Sequence, residues 1–281
     1  MPNMAESNLK AEKTAESYSW YEPNLTQVQE PARTLLAEYS HIPEEQIIEH
    51  VKEVRDRAFA VFPYPCIGSF RFLDITINHS PAYAEILSRL KTSDHKYLDL
   101  GCAMGQDIRY LTHQGAPSTN LYGSDLHPEF IELGYDLFSD RATLSSEFIP
   151  SDIFDDGCPL LTRLAGQIDI VNAASFFHLF DWTQQVALAK QIIKLLRPRP
   201  GSLLVGRHVG DFEAGERADS ELGNTYYRHD LDSWRRMWGE VMRETGTQWE
   251  VEVAAEQWEE VKRNRHNRES SFKMVFVVRR V

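Results

Sequence analysis

The sequence predicts an α/β fold built on a mostly parallel sheet, and three observations point to it. From residue 97 onward, short apolar runs alternate with helix-length segments, the order that produces parallel strands covered on both faces. The first of these runs ends in an acid and passes directly into a glycine turn, "YLDLGCAMGQDIRYL" (97–111). Two late β-rich runs, "TQWEVEVAA" and "SFKMVFVVRRV", are expected to pair as an antiparallel edge on that sheet.

Before the sheet lies a different kind of sequence. Residues 1–17 are rich in Glu, Lys, Ser and Ala and have little to bury, so a flexible start is expected. An aromatic group follows, with Tyr18, Trp20 and Tyr21. Over 43–62, Ile47, Ile48, Val51, Val54, Ala58 and Val61 fall on one helical face, opened by Pro43 and two acids. The Pro- and Gly-punctuated stretch 63–73 reads as a loop and 81–91 as a further short helix. Residues 18–95 are therefore read as an N-terminal helical region acting as a substrate-binding lid, and 96–281 as the core. Within the core, strands are expected at about 97–100, 120–124, 146–149, 168–173 and 201–206, with helices at about 105–114, 128–139, 158–165 and 182–196. A long polar stretch then precedes "SWRRMWGEVMRET".

Composition removes several function classes. The chain has 281 residues, 42% of them hydrophobic, enough for one large or two small domains. With 30 basic against 42 acidic residues and a net charge of -12, a cationic groove for nucleic acid is not expected. Cys66, Cys102 and Cys158 are odd in number and form no CxxC pair, which points to a reducing compartment with neither a disulfide framework nor a metal site. No apolar run approaches a membrane span, and the first twenty residues are too polar for a signal peptide. A cytoplasmic protein is the expectation.

The glycine turn carries the chemistry. Ligands of open parallel sheets bind beyond the carboxyl ends of the strands, where a Gly lets the backbone approach closely. Here Asp99 ends the first strand, Gly101 and Gly105 bracket the turn, and Ala103 is the small residue between them. A dinucleotide site requires GxGxxG; Ala103 and Gln106 break that register and oppose an NAD-dependent oxidoreductase. Asp125, flanked by Ser124 and Leu126, closes a second apolar run 24 residues after Gly101, where an acid can grip ribose hydroxyls. Ser151, Asp152 and Ile153 follow the third run, and Asn172 and Ala173 lie at the end of the fourth.

Together these residues resemble the D/E-x-G-x-G-x-G turn and succeeding acids of class I S-adenosylmethionine-dependent methyltransferases. The resemblance implies a Rossmann-like, mostly parallel seven-stranded sheet and S-adenosyl-L-methionine as cofactor. It assigns the ribose to Asp125, the adenine amino group to Asp152 and the ring face to Ile153. The fourth strand departs from the N/D-P-P-Y/F pattern of amino-group methyltransferases, reading "NAASF", which argues against methylation of nucleic acid or protein nitrogen. "LLRPRPGSLLVG" resembles the family's L-x-P-G-G-x-L segment, with Arg199-Pro200 altering the turn.

Flanking stretches narrow the resemblance. "YPCIGSFRFLD", "LYGSDLHPEFIELGYDLF", "AASFFHLFDW" and "SWRRMW" are similar to fungal methyltransferases of meroterpenoid and polyketide clusters, over about residues 18–281. That family esterifies the carboxyl group of farnesylated aromatic polyketide acids, which blocks loss of carbon dioxide, and the resemblance also implies a homodimer. Such a site must hold an anion and an apolar tail. Arg71, Arg207 and His208 are candidates for the anion, His178 for positioning or catalysis. Tyr18, Trp20, Tyr21, Tyr64, Phe72, Phe177, Trp234 and Trp238 are candidates for the apolar wall. Methylation of a phenol or other hydroxyl, and a noncatalytic binding protein with the same fold, remain open at this point.

Overall fold

The computed structural model describes residues 14–218, 225–256 and 268–281. Along the chain, Ala32–Thr34 (α1) runs into a π-helical turn, Leu35–Tyr39, followed by Ile47–Val61 (α2), Pro65–Gly68 (α3) and Tyr83–Thr92 (α4). Then come Tyr97–Leu100 (β1), Gln106–His113 (α5), Leu121–Ser124 (β2), Pro128–Phe138 (α6), Glu147–Phe148 (β3), Pro159–Leu164 (α7), Ile170–Asn172 (β4) and Trp182–Leu195 (α8). Leu203–Asp211 (β5), Gly215–Ala218 (β6), Thr225–Arg228 (β7), Leu231–Thr245 (α9), Trp249–Glu256 (β8) and Ser271–Arg280 (β9) complete the described elements.

Seven strands form one sheet in the order β3-β2-β1-β4-β5-β9-β8. The first five run parallel, and β9 inserts antiparallel between β5 and β8. The strand order reverses between β1 and β4, so the switch point of the sheet falls at the carboxyl ends of those two strands. Alternation along β1 divides the core. Tyr97 joins Leu121, Ile170 and Leu203 against α2, α4, α5 and α6, while Leu98 and Leu100 join Val171 and Leu204 against α7, α8 and α9.

The N-terminal helices are part of the first of these layers. On α2 the buried residues are Ile47, Val51, Val54, Arg55, Ala58 and Phe59, and they continue without interruption into the residues under the sheet. Two differences from the sequence reading have physical causes. Within the stretch read as a loop, Pro65 occupies the first turn of α3, where its missing N–H costs nothing, and a 3-10 turn follows at Arg71–Leu73. Within the long polar stretch, β6 and β7 form a hairpin whose residues are exposed or half-buried, so no apolar run announced it. β5 extends to Asp211 because β9 pairs with it along its whole length. The expected flexible start lies mostly outside the described residues; Ala15–Ser17 form a single 3-10 turn. Among the described residues no helix is long and apolar enough to cross a membrane, and no group of His, Cys, Asp and Glu is arranged to hold a metal ion.

Candidate active site

At the end of β1 the chain turns through three positive φ angles, 74° at Gly101, 46° at Ala103 and 68° at Gly105. The amides of Gly101 and Cys102 donate to the Ser124 carbonyl at 2.8 and 3.0 Å, which ties the turn to the end of β2. From behind, Arg109 donates to the Met104 carbonyl at 2.7 Å. Its guanidinium is fixed by two bonds to Asp140 at 2.9 and 3.0 Å, and Asp140 also accepts the Tyr39 hydroxyl at 2.8 Å. A buried, bidentate pair of this kind holds geometry firmly.

The acid at the end of β2 faces this turn. One oxygen of Asp125 accepts the Ala103 amide at 2.9 Å and the other the His127 amide at 3.0 Å; burial pushes its pKa up despite these bonds. Tyr64 stands beside it, its phenol pushed up to about 12 by burial and then by the Asp125 charge. Tyr64 thus belongs with Asp125, His127 and Phe130, a grouping that sequence reasoning had not given it. Ser124 Oγ donates to the Ile149 carbonyl at 2.8 Å, and the Ser151 amide donates to the Asp125 carbonyl at 3.0 Å. Beyond β3, Asp152 is exposed and accepts the Phe154 amide at 2.9 Å, while Ile153 is buried. Leu126, a large apolar side chain, stays 57% exposed next to Asp125.

Inside the switch point, Asp99 accepts the Asn172 amide at 3.0 Å, and the same amide reaches Asp107 at 3.3 Å. Asp107 in turn accepts the amides of Thr76 and Ile77 at 2.7 and 3.1 Å and the Thr76 hydroxyl. The N-terminal region is therefore bonded to the site itself. Ala173 is buried and its amide donates to the Val205 carbonyl at 2.9 Å. Past it, Ser175 takes φ 53° and turns the Phe176 ring onto Gly101.

A cationic group lies further along β5. Arg207 and Arg71 share Asp74, at 3.0 and 3.6 Å. The rings of His178 and His208 meet edge-on at 6.0 Å, and His208 also packs against His229 at 6.3 Å. Burial pushes both His178 and His208 well below the ordinary imidazole range; Arg228 then His208, with Arg71, add repulsion at His178, and His229 with Arg228 at His208. Both are neutral imidazoles near neutral pH. Their buried Nδ1 atoms, and Nε of Arg207, have no hydrogen-bond partner among the described residues. Arg228, which sequence reasoning missed, has its pKa lowered by burial and forms no ion pair within 4 Å among the described residues. Its signal was one residue, the Arg of "TYYRHD", in a stretch read only as polar.

The aromatic candidates divide. Phe177 and Trp234 are fully buried, 5.1 Å apart in a T-shaped pair, and pack with Phe276 behind His208. Trp238 is equally buried, toward Trp249. Tyr18, Trp20 and Tyr21 gather on the α2 side, where Tyr18 and Tyr21 meet Phe59 and the Trp20 indole donates to the Pro63 carbonyl at 3.1 Å. Phe72 is buried beside Phe70.

Comparison with known proteins decides the family. Residues 20–73 match the meroterpenoid methyltransferase N-terminal domain and residues 98–199 a methyltransferase domain. Methyltransferase adrK of Penicillium rubens is 50% identical over 244 residues, 86% of this chain and 85% of that protein. The chain belongs to the fungal meroterpenoid methyltransferases. O-methyltransferase phiE of Fungal sp. is 46% identical over 236 residues, 84% of this chain and 79% of that one. The asnovolin E/chermesin D methyltransferase nvfJ of Aspergillus novofumigatus is 48% identical over 229 residues, covering 81% and 82%. Among solved structures, the CurJ carbon methyltransferase shares the fold at a TM-score of 0.53 and 17% identity, over 90% of this chain and 67% of that one. The cofactor of this methyltransferase family is S-adenosylmethionine.

The residues present fit that cofactor. At the switch point the glycine turn is held by the half-buried acid Asp125, which accepts the Ala103 amide, and Leu126 offers an exposed apolar surface beside it. The two acids Asp99 and Asp107 suit a ligand that carries positive charge.

Proposed function

We propose that this methyltransferase esterifies the carboxyl group of a small hydrophobic acid, a meroterpenoid or polyketide intermediate, in the cytoplasm and as a homodimer. The observation that carries the carboxylate reading is the surplus of donors and positive charge on β5 and its neighbours. Arg71 and Arg207 share the acid Asp74. Nearby, Arg228 forms no ion pair within 4 Å among the described residues, with Asp211 as its more distant acid, and the buried Nδ1 atoms of His178 and His208 have no hydrogen-bond partner among them. An anion completes such a set, and guanidinium groups hold carboxylates with direction as well as charge.

When bound, S-adenosylmethionine supplies an electrophilic methyl group. Asp125, Ser124 and Leu126, with Ser151, Asp152 and Ile153, are assigned to its nucleoside end, and Asp99, Gly101, Ala103, Gly105, Asn172 and Ala173 to its amino-acid end. A carboxylate is ionised at neutral pH, so the chain's task is alignment and exclusion of water. Arg207 and Arg71, with His208 and His178, orient the acid. Residues 18–95 provide Arg71, Asp74 and Thr76 to the site, cover it as a lid over the 96–281 core, and supply Tyr18, Trp20, Tyr64 and Phe72 toward an apolar substrate. Phe177 and Trp234 back the histidines. Incubating the protein with isotope-labelled cofactor and a panel of hydrophobic acids tests the assignment by mass spectrometry. Label in an ester that mild alkali hydrolyses is the expected outcome; label only in phenolic ethers would overturn it. Light scattering tests the dimer.

A further inference from the structure

Asp107 lies beside Asp99, and among the described residues one donor bridges the two. The Asn172 amide reaches both carboxylates, at 3.0 and 3.3 Å, and the two residues are 4% and 1% exposed. Asp107 is the better satisfied, through Thr76 and Ile77. Neither acid forms an ion pair among the described residues. Arg207, the cation that faces Asp107 from β5, is engaged with Asp74 at 3.0 Å. The other groups turned toward the pair are the like-charged Asp125 at the end of β2, the phenol of Tyr97 on β1 and the thiol of Cys102 in the turn. Burial, and next the Asp107 charge, raise the Asp99 carboxyl well above the ordinary carboxylate range; burial raises Asp107 as well. Two buried carboxylates with one neutral bridging donor cannot both stay ionised without a counter-charge. One proton supplies it, and so does one cation.

We propose that Asp99 and Asp107 hold a shared proton in the cofactor-free enzyme and release it when the ammonium group at the cofactor's amino-acid end binds, so that cofactor binding is proton-linked. One carboxyl O–H bond breaks, the proton passes to solvent, and the carboxylate left behind is neutralised by the ligand's charge. Such a pair titrates as a unit. Below its upper apparent pKa, cofactor affinity rises with pH by up to about tenfold per unit. The inference depends on the cofactor alone and stands whether the methyl acceptor is an acid or a phenol.

The test is calorimetric titration of the intact protein with S-adenosylhomocysteine at about pH 6, where the ligand's own amine remains fully protonated, in phosphate and in imidazole buffer. A difference in heat between the buffers that corresponds to release of roughly one proton per ligand is expected. Asp99→Asn and Asp107→Asn should each bring the release close to zero, and the second keeps the test readable if the first binds too weakly. Equal heats in both buffers for the parent would overturn the proposal. So would a release that survives both substitutions, or one that disappears in His127→Asn, which would place the proton on the imidazole beside Asp125.

Discussion

The ring of Phe176 rests on the backbone of Gly101, so closely that a Cβ at position 101 would fall 2.5 Å from Phe176 Cδ2. Gly101 also holds φ 74°, where an L side chain is strained. Gly101→Ala should therefore destabilise the protein by roughly 2 to 4 kcal/mol, strain and overpacking together, and weaken S-adenosylhomocysteine binding. Phe176→Ala combined with Gly101→Ala should recover about 1 kcal/mol or more beyond additivity, because the clash is then gone. Thermal melts of the two single variants and the double variant measure this. Strict additivity would mean that the ring and the turn do not meet in solution.

Asp125 has two tasks, and its removal should show both. Its oxygens fix the amides of Ala103 and His127, and the reading of the site gives its charge to the ribose. Asp125→Ala should weaken S-adenosylhomocysteine binding tenfold or more, about 1.5 to 3 kcal/mol for a charge-assisted pair. Asp125→Asn should fall between the two, since its carbonyl still accepts one amide. Calorimetry that finds Asp125→Ala as tight as the parent would remove β2 from the cofactor site.

How much of this was legible depended on whether a residue's task was local. The acids Asp99 and Asp125, each within one residue of a strand end, and the turn between Gly101 and Gly105 declare themselves, because acid-glycine spacing and apolar runs are properties of consecutive residues. The bond from Asp107 to Thr76 joins positions 31 apart, and that from Arg109 to Asp140 positions 31 apart on another path; no local pattern marks either. The β6–β7 hairpin was invisible because both its faces are partly wet, and Arg228 went with it. Trp234 shows the converse error of composition, since an aromatic residue offers the same signal whether it walls a pocket or, as here, fills the layer behind His208.

Two buried histidines, His208 and His229, and the half-buried His178 make the fold sensitive to acid. His229 is bonded through its two nitrogens to Ser233 and Gln185, at 2.9 and 3.1 Å, and burial lowers its pKa from 6.5 to about 3. A depressed imidazole contributes stability that is complete above its ordinary pKa and disappears as pH falls toward the folded value. Between about pH 6.5 and 5 this one group should cost about 2 kcal/mol, with His178 and His208 acting in the same direction. The raised Asp99 and Asp107 act oppositely, stabilising at low pH and less so as pH rises through their folded values. Denaturant unfolding at the two pH values should show a smaller loss in His229→Gln than in the parent. An equal loss would place the acid sensitivity elsewhere.

The choice of carboxylate over phenol as methyl acceptor separates on pH dependence and on two kinds of variant. A carboxylate is ionised well below neutrality, so with the cofactor held saturating at every pH the acceptor's kcat/KM should be flat from about pH 6 to 9, whereas a phenol with pKa near 10 requires a base. His178 is the candidate for that base, and its depressed pKa leaves the imidazole unprotonated near neutral pH; the pH limb of a phenol reaction would then come from the phenol itself, rising toward high pH. For the ester reaction, His178→Ala should lower kcat by less than about tenfold, while loss of a general base usually costs about 10²- to 10⁴-fold. Arg207→Ala should instead raise KM strongly with a smaller effect on kcat, because the substrate's charge is left without its donor, and Arg71→Ala should do the same if its share of Asp74 reflects a shared substrate. Asp74→Asn is the internal check. Releasing both guanidinium groups from the acid they share should not weaken acid binding as the arginine variants do. Rate profiles that climb with pH, a large kcat loss in His178→Ala and unchanged KM in both arginine variants would together assign the enzyme to phenols.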